Sequence, residues 1–143
     1  MGPAFSFDQG ILGAIGEAAL GVKNTAHWAK DLDVPGNAEF VQAFQDEYGR
    51  LPSLYAAQGY DTALLLMSAM GKADVNDQAA FQAALKEADF QSVRGDFAFA
   101  DNHHPIQDIY MREVVKEGDV VTNKIIGVAA SDHSDVYGAE CKM

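Results

Sequence analysis

The spacing of apolar residues along this chain changes once, at Phe90, and that change limits the fold more than any single motif. Up to Ala88 apolar positions recur at helical spacing; beyond Phe90 they alternate, as in strands. Ile11, Leu12, Ile15 and Ala19 form a stripe over residues 9–20, with Asp8 as N-cap and Gly21 as the stop. Val22 to Leu32 reads as extended, and Val34-Pro35-Gly36 as a turn. Phe40, Phe44 and Tyr48, four apart, predict a second helix from Asn37 that Gly49 closes. A third helix follows Pro52 and runs from Ser53 to about Met70, apolar on most sides and so expected to pack between other elements. Asn76 or Asp77 caps a fourth helix through Ala88.

The alternation after Phe90 predicts strands over residues 93–99, 107–116 and 120–128, the last two joined by a hairpin turn at Glu117-Gly118-Asp119. From Ser131 the tail is polar, with Tyr137 expected to dock. The class is therefore α/β, but four helices need more sheet than a late antiparallel set supplies. The first helix also has no strand read before it, although in α/β folds such a helix leaves a strand's carboxyl end.

Charge and composition narrow the function. With ten Lys and Arg against 21 Asp and Glu, net charge −11, the chain lacks the clustered cations that draw nucleic acid. The longest apolar run, Thr62 to Met70, is too short to span a bilayer. No basic-then-apolar leader is read at the start, which fits a cytoplasmic protein or the back half of something larger. Cys141, the single thiol, makes neither an internal disulfide nor a zinc site.

Few residues suggest bond-making chemistry. Asp101, Asn102, His103 and His104, with Asp108, Asp132, His133 and Asp135, match no recurring metal spacing and read as solvated turns; a metal-dependent hydrolase is the weaker alternative. Ser6, Ser53, Ser68 and Ser92 lack a nucleophile-elbow context. Gly10, Gly13, Gly16 and Gly21 lie within a helix rather than ahead of one, so they do not cradle phosphate; their spacing suggests close packing against another backbone. What remains is aromatic: Phe5 and Phe7 flank Ser6 before one helix, and Tyr55 with Gln58 opens another. Such rings either plug the core or line a cleft that holds a small molecule.

An ordered set of residues carries a family likeness. Met1-Gly2-Pro3, Gly21-Val22, Trp28, Pro35-Gly36-Asn37, Phe40, Phe44, Tyr48-Gly49, Pro52, Tyr55-Ala56-Ala57 and Gly59-Tyr60-Asp61 resemble the solute-binding proteins of branched-chain amino-acid-type ABC transporters. The segments 93–99, 105–110 and 112–114, with Asn102, look like the closing strands of the same family. The resemblance covers the whole chain but only the C-terminal part of the family's length. It implies the type I periplasmic-binding-protein fold: two Rossmann-like α/β lobes that close on a ligand across a hinge. Residues 1–34 would end the second lobe, 35–128 cross back into the first lobe and form the closing hinge strands, and 129–143 be the tail. The upstream half of the protein, with its signal peptide, would precede Met1, which accounts for the missing sheet.

The resemblance also turns the opening loop into a site made of Ala4, Phe5, Ser6 and Phe7, with Tyr55 and Gln58 from the third helix. In amino-acid-binding members the position matching Ala4 carries an acid that pairs with the ligand's ammonium. An ammonium buried without that partner would cost several kcal/mol, so Ala4 points to an aromatic or other apolar carboxylate whose ring stacks on Phe5 or Tyr55. The expected role is non-enzymatic and periplasmic, without cofactor or metal. The partners are then the small-molecule ligand, an ABC permease and the upstream half, with dimerisation or element swapping of the separated piece. A receptor's sensory domain is the alternative on the same fold.

Overall fold

A computed structural model describes residues 2–141, apart from the side chain of Ala4. Its elements, in chain order, are β1 (Gly2–Pro3), α1 (Gln9–Ile15), β2 (Lys23–Ala26), α2 (Asn37–Tyr48), α3 (Leu54–Lys72), α4 (Gln78–Lys86), β3 (Phe97–Phe99), β4 (Pro105–Glu117) and β5 (Val120–His133). Four helices precede three late strands, as the change of period predicts.

The sheet is mixed and is organised on β4. One edge of the order runs β1-β2-β4-β3, and β5 also pairs with β4. β2, β3 and β5 are all antiparallel to β4, with Ala26 opposite Tyr110, Ala98 opposite Ile106 and Val115 opposite Thr122. β1 lies parallel to β2, Gly2 beside Asn24. The opening loop therefore does leave the carboxyl end of a strand, contrary to the reading that none precedes α1. Between β4 and β5 the loop is Gly118-Asp119, with Gly118 at φ +60°, the left-handed conformation a two-residue hairpin turn requires.

Several boundaries differ from expectation. The stripe over residues 9–20 is not one helix: α1 stops at Ile15, Gly16 turns at φ +63°, and a 3-10 turn follows over Gly16–Ala19. Nor does the glycine spacing mark a close approach here, because a Cβ added at Gly13 or Gly16 would meet nothing within 4 Å. Of residues 22–32 only Lys23–Ala26 pair as a strand, and of 93–99 only Phe97–Phe99. β5 runs on past Val128 to His133, and Tyr137 is exposed rather than docked.

Two apolar clusters flank the sheet. The larger contains Ala26, Trp28, Leu32, Phe40, Leu54, Ala57, Val93 and Tyr110; the smaller contains Leu12, Ala19 and Val114, with Phe7, Val22 and Val121 against it. α3 is not packed on all sides: its first turns bury Leu54, Ala57 and Asp61, but Leu66, Met67 and Met70 face solvent farther along. Among the described residues no helix is long and apolar enough to cross a membrane.

Candidate functional site

The opening loop turns sharply because Pro3 is held extended (φ −69°, ψ 151°) and a 3-10 turn over Ala4–Phe7 follows at once. Asp8 then returns to extended backbone and caps α1, its Oδ2 accepting from Gly10 N–H at 3.2 Å. Its Oδ1 accepts from Leu54 N–H at 2.8 Å, the first residue of α3, 46 positions away. One buried carboxylate thus joins the loop to the start of α3.

That junction brings two rings together. Phe5 and Tyr55 stack with centroids 5.9 Å apart and planes 24° from parallel, yet they remain 53% and 57% exposed. Two large rings left against solvent on adjoining elements form an exposed apolar surface of the kind that lines a binding cleft. Ser6 is exposed beside them. Phe7 goes the other way, packing on Leu12, Ala19 and Val114 as a core plug. Gln58, one turn on from Tyr55, lines a groove of about 350 Å3 with Asp61, Arg94, Phe90, Phe97 and Phe99. The structure therefore joins Phe5 to Tyr55 and places Gln58 in the neighbouring groove. The side chain of Ala4 lies outside the described part.

A buried polar network backs the loop. Asn123 Nδ2 donates to the Phe7 carbonyl at 2.7 Å, Asn24 Nδ2 donates to Asn123 Oδ1 at 2.9 Å, and Arg112 Nε donates to Asn24 Oδ1 at 2.9 Å. Arg112 Nη1 also donates to the Trp28 carbonyl at 2.8 Å. Burial lowers the Arg112 pKa to about 10, partly offset by the negative charges of Asp8 and Asp31, so the group stays charged at neutral pH. Sequence reasoning missed Asn24 and Asn123 altogether and saw only half of Asp8's work, because a cap shared between two helices leaves no local signal.

After β3, Asn102 ties its loop to the segment that follows β5, and Asp108 holds the end of β5 to β4. Asn102 Nδ2 donates to Asp135 Oδ2 at 2.8 Å, and Asp108 Oδ1 accepts from Asp132 N–H at 2.9 Å. Among the described residues no three His, Cys, Asp or Glu side chains converge as metal ligands would. Cys141 is free and exposed.

Comparison with known proteins gives this geometry a lineage. The periplasmic binding protein profile matches residues 1–119. The chain is 34% identical over 114 residues to Leu/Ile/Val-binding protein homolog 6 of Brucella abortus, covering 76% of this chain and 29% of that protein. A solute-binding protein of an ABC transporter from R. palustris, in complex with benzoate, superposes with a TM-score of 0.86 at 35% identity, covering 99% of this chain and 38% of that one. Another, from Rhodopseudomonas palustris BisB5 in complex with 3,4-dihydroxybenzoic acid, gives 0.78 at 30% identity, over 90% and 36%. The chain spans only about a third of each relative's length. With the profile covering most of its residues and the superposition nearly all of them, the chain belongs to the periplasmic binding protein family and carries a C-terminal portion of its type I fold.

Proposed function

We propose that this chain is the C-terminal part of the solute-binding component of an ABC importer, taking a small aromatic carboxylate between two lobes and presenting it to the permease. The observation that carries this reading is the exposed Phe5–Tyr55 stack, an apolar ring surface. A benzene ring adds to such a pair by offset stacking. Phe5, Ser6, Tyr55 and Gln58, with the backbone of Ala4 and Phe7, form one wall, and the ligand's carboxylate is held by the upstream half. Structural relatives that hold benzoate and 3,4-dihydroxybenzoic acid support the ligand class.

In this reading residues 1–34 end the second lobe, 35–128 serve the first lobe and the hinge, and the protein works outside the cytoplasm without making or breaking a bond. The apolar face of α3 at Leu66, Met67 and Met70 packs on the upstream half. Left uncovered in a separately expressed piece, that face favours self-association.

A thermal-shift and calorimetric screen of the full-length protein tests the proposal. Benzoate and hydroxybenzoates should raise Tm, by the equivalent of about 2.7 kcal/mol at a hundredfold excess over Kd, and leucine should not. Phe5→Ala and Tyr55→Ala should each weaken benzoate about tenfold or more. A largest shift with leucine would overturn the ligand class.

A further inference from the structure

Asp8 is buried, and among the described ion pairs it has no cation within 4.0 Å. Carboxylates in that position carry a desolvation cost that a cap alone does not justify, since Ser, Thr or Asn caps a helix as well. Nor does α3 depend on Asp8 for its cap: Ser53 Oγ already accepts from Ala56 N–H at 3.1 Å. Leu54 N–H is one of the free donors every helix start leaves, and water would satisfy it.

What a carboxylate adds over a neutral cap is a second acceptor oxygen, so that each of two backbones has its own. The Oδ2 bond to Gly10 and the Oδ1 bond to Leu54 leave one side chain spanning two helices. Asp8 lies three residues after Phe5, and Leu54 is the residue before Tyr55, so the span fixes the separation of the two rings. On the loop's other side Asn123 holds the Phe7 carbonyl, but that chain of bonds leads to Asn24 and Arg112, away from α3. Among the described hydrogen bonds and ion pairs, only those of Asp8 connect the loop to the helix that carries Tyr55. Arg112 lines the same small polar cavity, and its charge offsets that of the carboxylate.

We infer that Asp8 is the positioning residue of the ligand wall, setting Phe5 on Tyr55 by bonding the opening loop and the start of α3 at the same time. It touches no ligand. The inference rests on the ring-wall reading above for its consequence in binding, but not for its geometry.

The test separates the two. 4-Fluorophenylalanine placed at position 5 reports its stacking on Tyr55 through the fluorine chemical shift, with no ligand present. Asp8→Ala should move that resonance toward the value seen with Tyr55→Leu. Asp8→Asn, which has one acceptor oxygen for two donors, should move it part of the way and serves if the Ala variant does not fold. Ser53→Ala removes the ordinary cap of the same helix; it should lower stability and leave the resonance in place. In the full-length protein Asp8→Ala should weaken benzoate about tenfold alone and less than twofold on a Phe5→Ala background, the non-additivity expected if Asp8 acts through Phe5. An unmoved resonance in the Asp8 variants, or an equal movement in Ser53→Ala, overturns the inference. Absence of benzoate binding by the wild type overturns the proposed ligand, and the resonance still decides the role of Asp8.

Discussion

Two buried arginines hold this chain together by opposite means. Arg94 meets a carboxylate: its Nε lies 2.6 Å from Asp61 Oδ2, its Nη1 donates to Gln107, and its guanidinium sits 4.7 Å from the centre of the Phe97 ring. Asp61 accepts two further bonds, from Ser92 Oγ at 2.6 Å and Val93 N–H at 3.0 Å. Among the described hydrogen bonds Arg112 meets neutral groups, the Asn24 amide oxygen and the Trp28 carbonyl. The first cluster centres on one carboxylate and staples residues 92–94 to α3, with one bond outward to Gln107 of β4. The second passes each bond onward, through Asn24 and Asn123, to the loop that bears Phe5. A neutralised pair gives attachment, whereas a chain of amides gives position.

Breaking the staple should have the largest effect. Asp61→Ala leaves a buried guanidinium without its counter-charge and two donors without an acceptor, and should cost about 3–5 kcal/mol in urea unfolding. Replacing both partners, Asp61→Leu with Arg94→Met, should recover much of that loss, because removing both charges also removes their desolvation cost. If the double variant were as unstable as the single one, the pair would be acting through something other than its charges.

The two clusters also differ in how far sequence reveals them. α2 is legible because Phe40, Phe44 and Tyr48 share a face and Gly49 closes it; the hairpin is legible because alternation meets Gly118-Asp119. The same alternation sets Arg112 between Tyr110 and Val114, all three buried, so its place on the inner face could be read from period alone. Its residue type concealed this, since an arginine in a strand normally suggests solvent. Asp61 was hidden for a related reason: it sits in a helix read as apolar on most sides, and its partners come 31 to 33 residues later. Phe5 and Tyr55 were joined by a family resemblance, because no local rule relates residues fifty positions apart. The exposure of Leu66, Met67 and Met70 was misread because apolar composition records what a face needs, not whether this chain supplies it.

His27 lies in the field of both arginines and gives the comparison a pH axis. Its Nε2 is buried without a partner among the described residues, and its pKa falls from 6.5 to about 4, first through burial and then through the charges of Arg94 and Arg112, against smaller opposing effects of Asp61 and Asp8. The unfolded chain takes up this proton near pH 6.5 and the folded one only near 4. Between those values the unfolded state holds more protons, so stability is fully present above the upper one and falls as pH drops. The loss attributable to His27 should reach about 3 kcal/mol below pH 4. Unfolding free energies of wild type and His27→Gln measured from pH 7 to 4 should converge as the wild type alone loses this increment; parallel curves would remove His27 as the source.

Arg112→Met should cost least, about 1–3 kcal/mol, because the lost donors strand Asn24 Oδ1 and the Trp28 carbonyl while the buried charge disappears with them. Its distinguishing effect is elsewhere. Removing one of the two positive charges acting on His27 should raise that residue's pKa, shrinking the acid-dependent loss described above, whereas Asp61→Ala removes a charge that favours the imidazolium and should lower it further. An NMR titration of His27 in the two variants therefore moves in opposite directions if the arginines act as separate charges in separate networks. Movement in the same direction would mean that the clusters rearrange together, and the division between a staple and a positioning chain would not hold.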